Sequence, residues 1–70
     1  MIEQILAELE LASLNAFQSD GNRITLSNTA IDIVVHESVL EVWTDGKFVG
    51  LETNATDVTT LAITEYNKQR

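Results

Sequence analysis

The sequence predicts an α+β fold with an N-terminal helix, a four-stranded antiparallel β-meander and a C-terminal helix, and with both helices on one face of the sheet. Two observations predict it. The 70-residue chain begins and ends with segments whose apolar residues recur at helical spacing. Between them, β-rich runs alternate with short turn sequences, as consecutive hairpins do. The length predicts one small domain spanning residues 1–70.

The first helix is predicted over residues 2–18, with a stop at residues 20–22, where Gly21 is expected to be left-handed. Its apolar face consists of Ile2, Ile5, Leu6, Leu9, Ala12, Ala16 and Phe17. Leu11 and Leu14 lie off this face. The helix is therefore expected to carry a narrow second apolar stripe, which packs on the C-terminal helix or meets another chain.

The strongest local signal is Asp45-Gly46 between two β-rich runs, residues 39–44 and 47–52. Asp-Gly is preferred in the type I′ hairpin turn, because both central residues need positive φ. A two-residue loop fixes the register, so Trp43 should face Phe48. Directly opposed residues share a face of the sheet.

Two further turns, Glu37-Ser38 and Asn28-Thr29, are predicted upstream from register rather than from turn composition. They pair Ile33 with Val42 and Ile24 with Ile33. All three hairpins keep the apolar residues on one side, and this agreement supports the meander.

The C-terminal helix is predicted from about Ala55 to Lys68, with Asn54 as N-cap and Asp57 at the third helical position. Its apolar stripe consists of Ala55, Val58, Leu61, Ala62 and Tyr66. The triplet starting at Asn54 also matches an N-glycosylation acceptor. Without a secretory signal, we interpret it as a cap.

The two faces of the predicted sheet differ in chemistry. The face covered by the helices is expected to hold Ile24, Leu26, Ile31, Ile33, Val35, Leu40, Val42, Val49 and Leu51. The opposite face, called the outer face below, is expected to hold Arg23, Thr25, Asp32, Val34, His36, Val39, Glu41, Trp43, Phe48, Gly50 and Glu52. No segment of the sequence is left over to cover it.

The amino-acid composition argues against several classes of function. Four basic residues against eleven acidic ones give a net charge of −7, which disfavours direct binding to nucleic acid or anionic membranes. There is no cysteine, and hence no disulfide or thiolate metal site. The N-terminal segment lacks the features of a signal peptide, so we expect a cytoplasmic protein, in the host cytoplasm if it is phage-encoded.

The reactive side chains in the sequence do not form a pattern that predicts an enzyme. His36 is the only histidine and has no serine or cysteine beside it in a strained turn. Asp32 and Glu41 share the outer face, but on an open sheet nothing drives their pKa values apart. No metal-ligand spacing or phosphate-binding loop is present, so no cofactor or metal is expected.

The sequence therefore predicts a non-catalytic protein-binding module. It is expected to be a small acidic stoichiometric inhibitor or adaptor that docks on a protein partner. That partner could be a basic nucleic-acid-binding protein. The expected partner-binding residues are Trp43, Phe48, Val34, Val39, Glu41, Asp32, Glu52, Leu11 and Leu14. In the extreme form of this hypothesis, carboxylates that include Glu3 and Glu10 imitate the phosphate groups of nucleic acid and occupy the partner's binding site. Short length, acidity and no catalytic apparatus also describe many phage-encoded inhibitors of host defence, anti-CRISPR proteins among them, an analogy that covers no motif.

Two other interpretations also agree with the sequence. The chain is a self-associating subunit of a larger cellular or viral assembly, with the outer face or the Leu11 and Leu14 stripe as a homodimer interface. Alternatively, the aromatic rings pack on each other and on the stems of Arg23 and Lys47, and simply finish an open sheet.

Overall fold

The computed structural model describes all residues 1–70 and has the α+β architecture. The elements in chain order are α1 (Ile2–Leu11), β1 (Ala16–Asp20), β2 (Arg23–Leu26), β3 (Ile31–Val35), β4 (Leu40–Thr44), β5 (Lys47–Glu52) and α2 (Ala55–Lys68). The strands form one antiparallel sheet in the order β1-β2-β3-β4-β5. The helix, meander, helix order is confirmed, with five strands rather than the four predicted.

Both helices contribute to one core cluster with the inner face of the sheet. The buried members are Ile5, Leu9, Ile24, Leu26, Ile31, Ile33, Leu40, Val42, Ala55, Val58 and Ala62. Val35 and Val49 are half-buried and pack against it. Every sheet residue predicted for the covered face therefore meets this core except Leu51, which is 48% exposed.

The first helix is shorter than predicted, because it ends at Leu11 rather than at residue 18. The chain reverses at Ser13, whose φ is +64°. The Ser13 N–H donates to Glu10 O and the Leu14 N–H donates to Leu9 O, each at 2.9 Å. These two bonds make a Schellman motif, in which serine occupies the left-handed position that glycine usually takes.

The residues after this stop form the extra strand. Ala16 and Phe17 lie in β1, not on the helix, and Phe17 is 51% exposed instead of buried. Ala12, also predicted for the apolar face of the helix, is exposed at its end. Gly21 lies in the turn between β1 and β2 and does not have positive φ, so its predicted helix-ending role is wrong.

The C-terminal helix is confirmed together with its cap. It runs from Ala55 to Lys68, as predicted. Asn54 Oδ1 accepts from the Asp57 N–H at 2.9 Å, and Asn54 Nδ2 donates to Asp57 Oδ2 at 2.8 Å. This reciprocal pairing satisfies a free N–H of the first turn, which fixes where the helix begins.

The predicted hairpin registers hold through the middle of the sheet. Ile24 faces Ile33, and Ile33 faces Val42. Trp43 faces Phe48 across the turn at 45–46, where both central residues have positive φ, +54° and +76°. The positive φ values match the predicted type I′ turn.

Beyond Trp43 the register between β4 and β5 shifts by one residue. Because a one-residue slip exchanges the two faces, three predicted facings are wrong. Gly50 faces Val42 and Glu52 faces Leu40, both on the helical side, whereas Leu51 faces Glu41 on the outer side. The shift is a β-bulge at Val49, which has no directly opposed partner.

Neither helix has both the length and the apolar character that crossing a membrane requires.

Candidate functional site

The outer face is covered by neither helix, and the strand registers define its layout. Two rows of directly opposed residues cross all five strands. The first row is Phe17, Thr25, Asp32, Trp43 and Phe48, and the second is Asp20, Arg23, Val34, Glu41 and Leu51. The first row therefore has an aromatic side chain at each edge of the sheet, whereas the second row runs from Asp20 at one edge to Leu51 at the other.

An apolar patch lies at the β4–β5 side of this face. It consists of Trp43, Phe48 and Leu51 and is called the aromatic patch below. The two rings meet edge to face, with centroids 5.6 Å apart and planes at 73°, a geometry that aromatic pairs favour. Phe48 and Leu51 are each about half exposed. The sequence had identified Trp43 and Phe48, whereas Leu51 reaches the patch only because of the bulge.

The other apolar residues predicted for this surface are less available. Val34 is only 9% exposed, so it supports the face from below rather than presenting itself. Val39 is half-buried at the loop before β4. Phe17, which the sequence placed in a helix core, lies on β1 at the far edge of the same face. Three strand spacings, roughly 14 Å, separate it from Trp43.

A carboxylate holds the tryptophan in place. Glu41 Oε1 lies 2.9 Å from His36 Nε2 and 3.2 Å from Trp43 Nε1. Since an ionised carboxylate only accepts hydrogen bonds, both nitrogens donate. The bond from His36, and to a lesser degree that from Trp43, lowers the pKa of Glu41 below its usual 4.5, against the partial desolvation that would raise it. Glu41 is therefore a charged anchor for the indole ring.

A second polar group occupies the centre of the face. The Thr25 hydroxyl lies 2.7 Å from both Asp32 Oδ1 and Ser19 Oγ. Because the carboxylate can only accept, Thr25 donates to Asp32 and accepts from Ser19. Arg23 Nη1 lies 3.9 Å from Asp32 Oδ2, a longer contact than a hydrogen bond.

A shallow depression of about 230 Å³ lies between these two groups. Its lining consists of Arg23, Asp32, Val34, Trp43 and Gly46. It combines an aromatic ring, a carboxylate, a guanidinium and an apolar side chain on one sheet face.

The structure does not bring all the predicted site residues together. Glu3 and Glu10 lie on α1, on the helical side of the sheet, and Glu52 also faces that side. Leu11 is 86% exposed at the end of α1, whereas Leu14 is the last residue of the Schellman motif and packs against the core. The second helical stripe is therefore not formed, and the carboxylates do not make one continuous array.

No group of three or more His, Asp or Glu side chains is placed so that it could hold a metal ion.

Comparison with protein-family models, curated proteins and solved structures finds no match to this chain.

Proposed function

We propose that this chain is a non-catalytic protein-binding module that acts as a small stoichiometric inhibitor or adaptor and docks through its outer sheet face. The observation that carries the proposal is the aromatic patch, Trp43, Phe48 and Leu51, on a sheet face that neither helix covers. Exposed apolar groups with a polar surround are typical of protein interaction sites. Tryptophan is the residue most enriched at binding hot spots.

The patch is also preorganised. Trp43 is fixed by its hydrogen bond to Glu41 and by edge-to-face packing on Phe48. Little side-chain freedom remains to be lost when a partner binds. Because ordering a free side chain opposes association by about 0.5–1.5 kcal/mol, a rigid patch favours binding.

Docking through the patch is better supported than imitation of nucleic acid. A phosphate-like array needs several free carboxylates along one surface. On the outer face, Glu41 accepts from His36 and Trp43, and Asp32 accepts from Thr25 through one of its two oxygens. Glu3 and Glu10 are on the other side of the sheet.

A second candidate, a self-associating structural subunit, is favoured by the position of Phe17. If two copies stack face to face about a twofold axis parallel to β3, then β1 of one copy lies over β5 of the other. Phe17 of each copy would then meet the aromatic patch of its partner. Such an interface is isologous, as in most homodimers.

Sedimentation equilibrium at low and high salt separates the two candidates. A monomer at both salt concentrations supports docking on a different protein. A dimer at both that is dissociated by Phe48→Ser supports the structural subunit, since burial of apolar surface depends little on salt.

Partner capture then tests docking on a different protein. The immobilised chain is compared with Phe48→Ser and with Leu11→Ser, which removes an even more exposed apolar side chain from the helical side. We expect one partner to bind the wild-type chain and the Leu11 variant in a one-to-one ratio and to be lost with the Phe48 variant. Equal retention by both variants would contradict the proposed face.

A further inference from the structure

We propose that the depression between Trp43 and Asp32 takes a basic side chain, arginine in particular, from a protein partner that docks on the outer face. This inference rests on the proposed function and names the chemistry of the partner. It follows from what the two walls of the depression offer, from the contacts of Asp32, and from the charge of the chain.

The aromatic wall is suited to a cation. The Trp43 N–H is already used by Glu41 at 3.2 Å, so the ring offers an incoming group its carbon surface and π electrons. Val34 lies beside it with only 9% of its surface exposed. A guanidinium packs well on such a surface, because it is planar, weakly hydrated and attracted to tryptophan rings.

The carboxylate wall keeps one oxygen available. Asp32 Oδ1 accepts from Thr25 at 2.7 Å, whereas Oδ2 has only the 3.9 Å contact with Arg23. The Arg23 side chain is 49% exposed and can turn into solvent. A guanidinium from a partner would donate a charge-assisted hydrogen bond to Oδ2 in its place.

The negative charge of the chain favours a positively charged partner. The net charge is −7, and the two rows of the outer face contain Asp20, Asp32 and Glu41 but only Arg23 as a base. A basic surface is therefore attracted to the chain at long range, and the outer face shares this negative sign. Arg23 opposes the incoming cation, so its removal should strengthen binding.

The only tryptophan of the chain, Trp43, lies in the depression and reports directly on its occupation. The probe is an acetylated, amidated peptide of alternating glycine and arginine, titrated while tryptophan fluorescence is recorded. The matched probe carries citrulline, which has nearly the same shape without the charge. We expect a saturable change of fluorescence with the arginine peptide and none with the citrulline peptide.

Two variants with the same change of net charge test the site. Asp32→Asn keeps an oxygen that can accept from Thr25 but removes the charge, whereas Glu10→Gln removes a charge on the helical side. We expect Asp32→Asn to weaken binding roughly fivefold, the equivalent of about 1 kcal/mol, and Glu10→Gln to change it less than about twofold. Arg23→Gln should tighten binding. Thermal unfolding of each variant shows that it is folded.

Three results would overturn the inference: equal binding of the citrulline peptide, equal weakening by Asp32→Asn and Glu10→Gln, or weaker binding by Arg23→Gln. The last would mean that Arg23 contributes to the site and does not oppose the incoming cation. If any of these is found while the partner capture still depends on Phe48, the outer face remains the docking surface and only its proposed occupant is wrong.

Discussion

At the scale of single residues, Ser13 decides where the first helix ends. Its φ of +64° lies in the left-handed region, where a residue with a Cβ is less stable than glycine by about 1–2 kcal/mol. The helix nevertheless stops there, because the Schellman bonds and the packing of Leu14 on the core hold the turn. Sequence periodicity does not reveal this stop, since no glycine marks it.

Replacing Ser13 by glycine should therefore stabilise the protein. We expect Ser13→Gly to raise the free energy of unfolding by about 0.5–1 kcal/mol, after the greater freedom of glycine in the unfolded chain is subtracted. Urea denaturation measures it. Ser38→Gly is the control, because Ser38 is an exposed loop residue without positive φ, and it should be neutral or destabilising. A loss of stability with Ser13→Gly would contradict the Schellman assignment.

Glu41 gives the outer face a pH dependence whose sign follows from its lowered pKa. A carboxylate with a lowered pKa in the folded protein stabilises it above the unfolded pKa, and this contribution is lost as the pH falls through the folded value. The hydrogen bonds from His36 and Trp43 are the cause of the shift. Glu41→Gln should therefore be less stable than wild type at neutral pH, and the difference should disappear in acid.

Trp43 fluorescence offers a second measurement of the same group. Protonation of Glu41 changes the partner of the indole N–H, so wild-type fluorescence should titrate with a midpoint below 4.5, the usual value. Glu41→Gln should abolish this transition. Glu52→Gln, which alters a carboxylate on the helical side, should retain it. A midpoint above the usual value would show that desolvation of Glu41 outweighs its hydrogen bonds.

At the scale of elements, the accuracy of the sequence prediction follows the strength of local signals. The Asp45-Gly46 turn fixes its hairpin, and the Asn54 cap fixes the start of α2, because each is set by residues next to it. The strand β1 was missed because Ala16 and Phe17 continue the helical spacing of α1 by coincidence. Only the tertiary stop at Ser13 separates the two elements.

The bulge in β5 is the other feature at this scale that the sequence did not predict. Its cause is tertiary packing against α2. Gly50 lies under α2, where a Cβ on this residue would come within 2.9 Å of Leu61 Cδ2. The register shift thus brings a residue without a side chain beneath the helix and turns Leu51 outward. The sequence has no local signal for the shift, because strand alternation favours the unshifted register, which would place Leu51 rather than Gly50 and Glu52 on the inner face.

Gly50 and Leu61 should therefore be energetically coupled. We expect Gly50→Ala to destabilise the protein by about 1 kcal/mol, since the added methyl group displaces a packed leucine. In the background Leu61→Ala, which opens space, the same change should have little effect or stabilise. A double-mutant cycle by urea denaturation measures the coupling. Additive effects would mean that Leu61 does not rest on Gly50.

At the scale of the whole molecule, the candidate site was only partly predictable. Trp43 and Phe48 follow from one turn and one register, so the sequence located the centre of the aromatic patch. Phe17 and Leu51 join the outer face through the extra strand and the bulge. A docking surface consists of residues from several strands. Its outline is therefore predicted correctly only if the register of every strand pair is predicted correctly.

The net charge of −7 should be visible in the stability of the whole molecule. Only Asp32, Glu41 and Glu65 have a basic partner, so the other acidic side chains mainly repel one another in the compact state. We expect NaCl, raised from about 20 mM to about 500 mM, to increase the free energy of unfolding by roughly 1 kcal/mol, because salt screens this repulsion. Urea denaturation at each salt concentration measures it.

Two variants that each remove one negative charge sharpen this prediction. Glu10→Gln and Glu37→Gln should both reduce the salt dependence, since each lowers the repulsion by a similar amount. Glu10 also lies in the last turn of α1, where no basic residue is present and a negative charge opposes the helix dipole. Its replacement should therefore raise stability at low salt by about 0.3–1 kcal/mol more than replacement of Glu37, a loop residue. If salt instead destabilises the wild-type chain, the attraction between acidic side chains and their basic partners outweighs the repulsion.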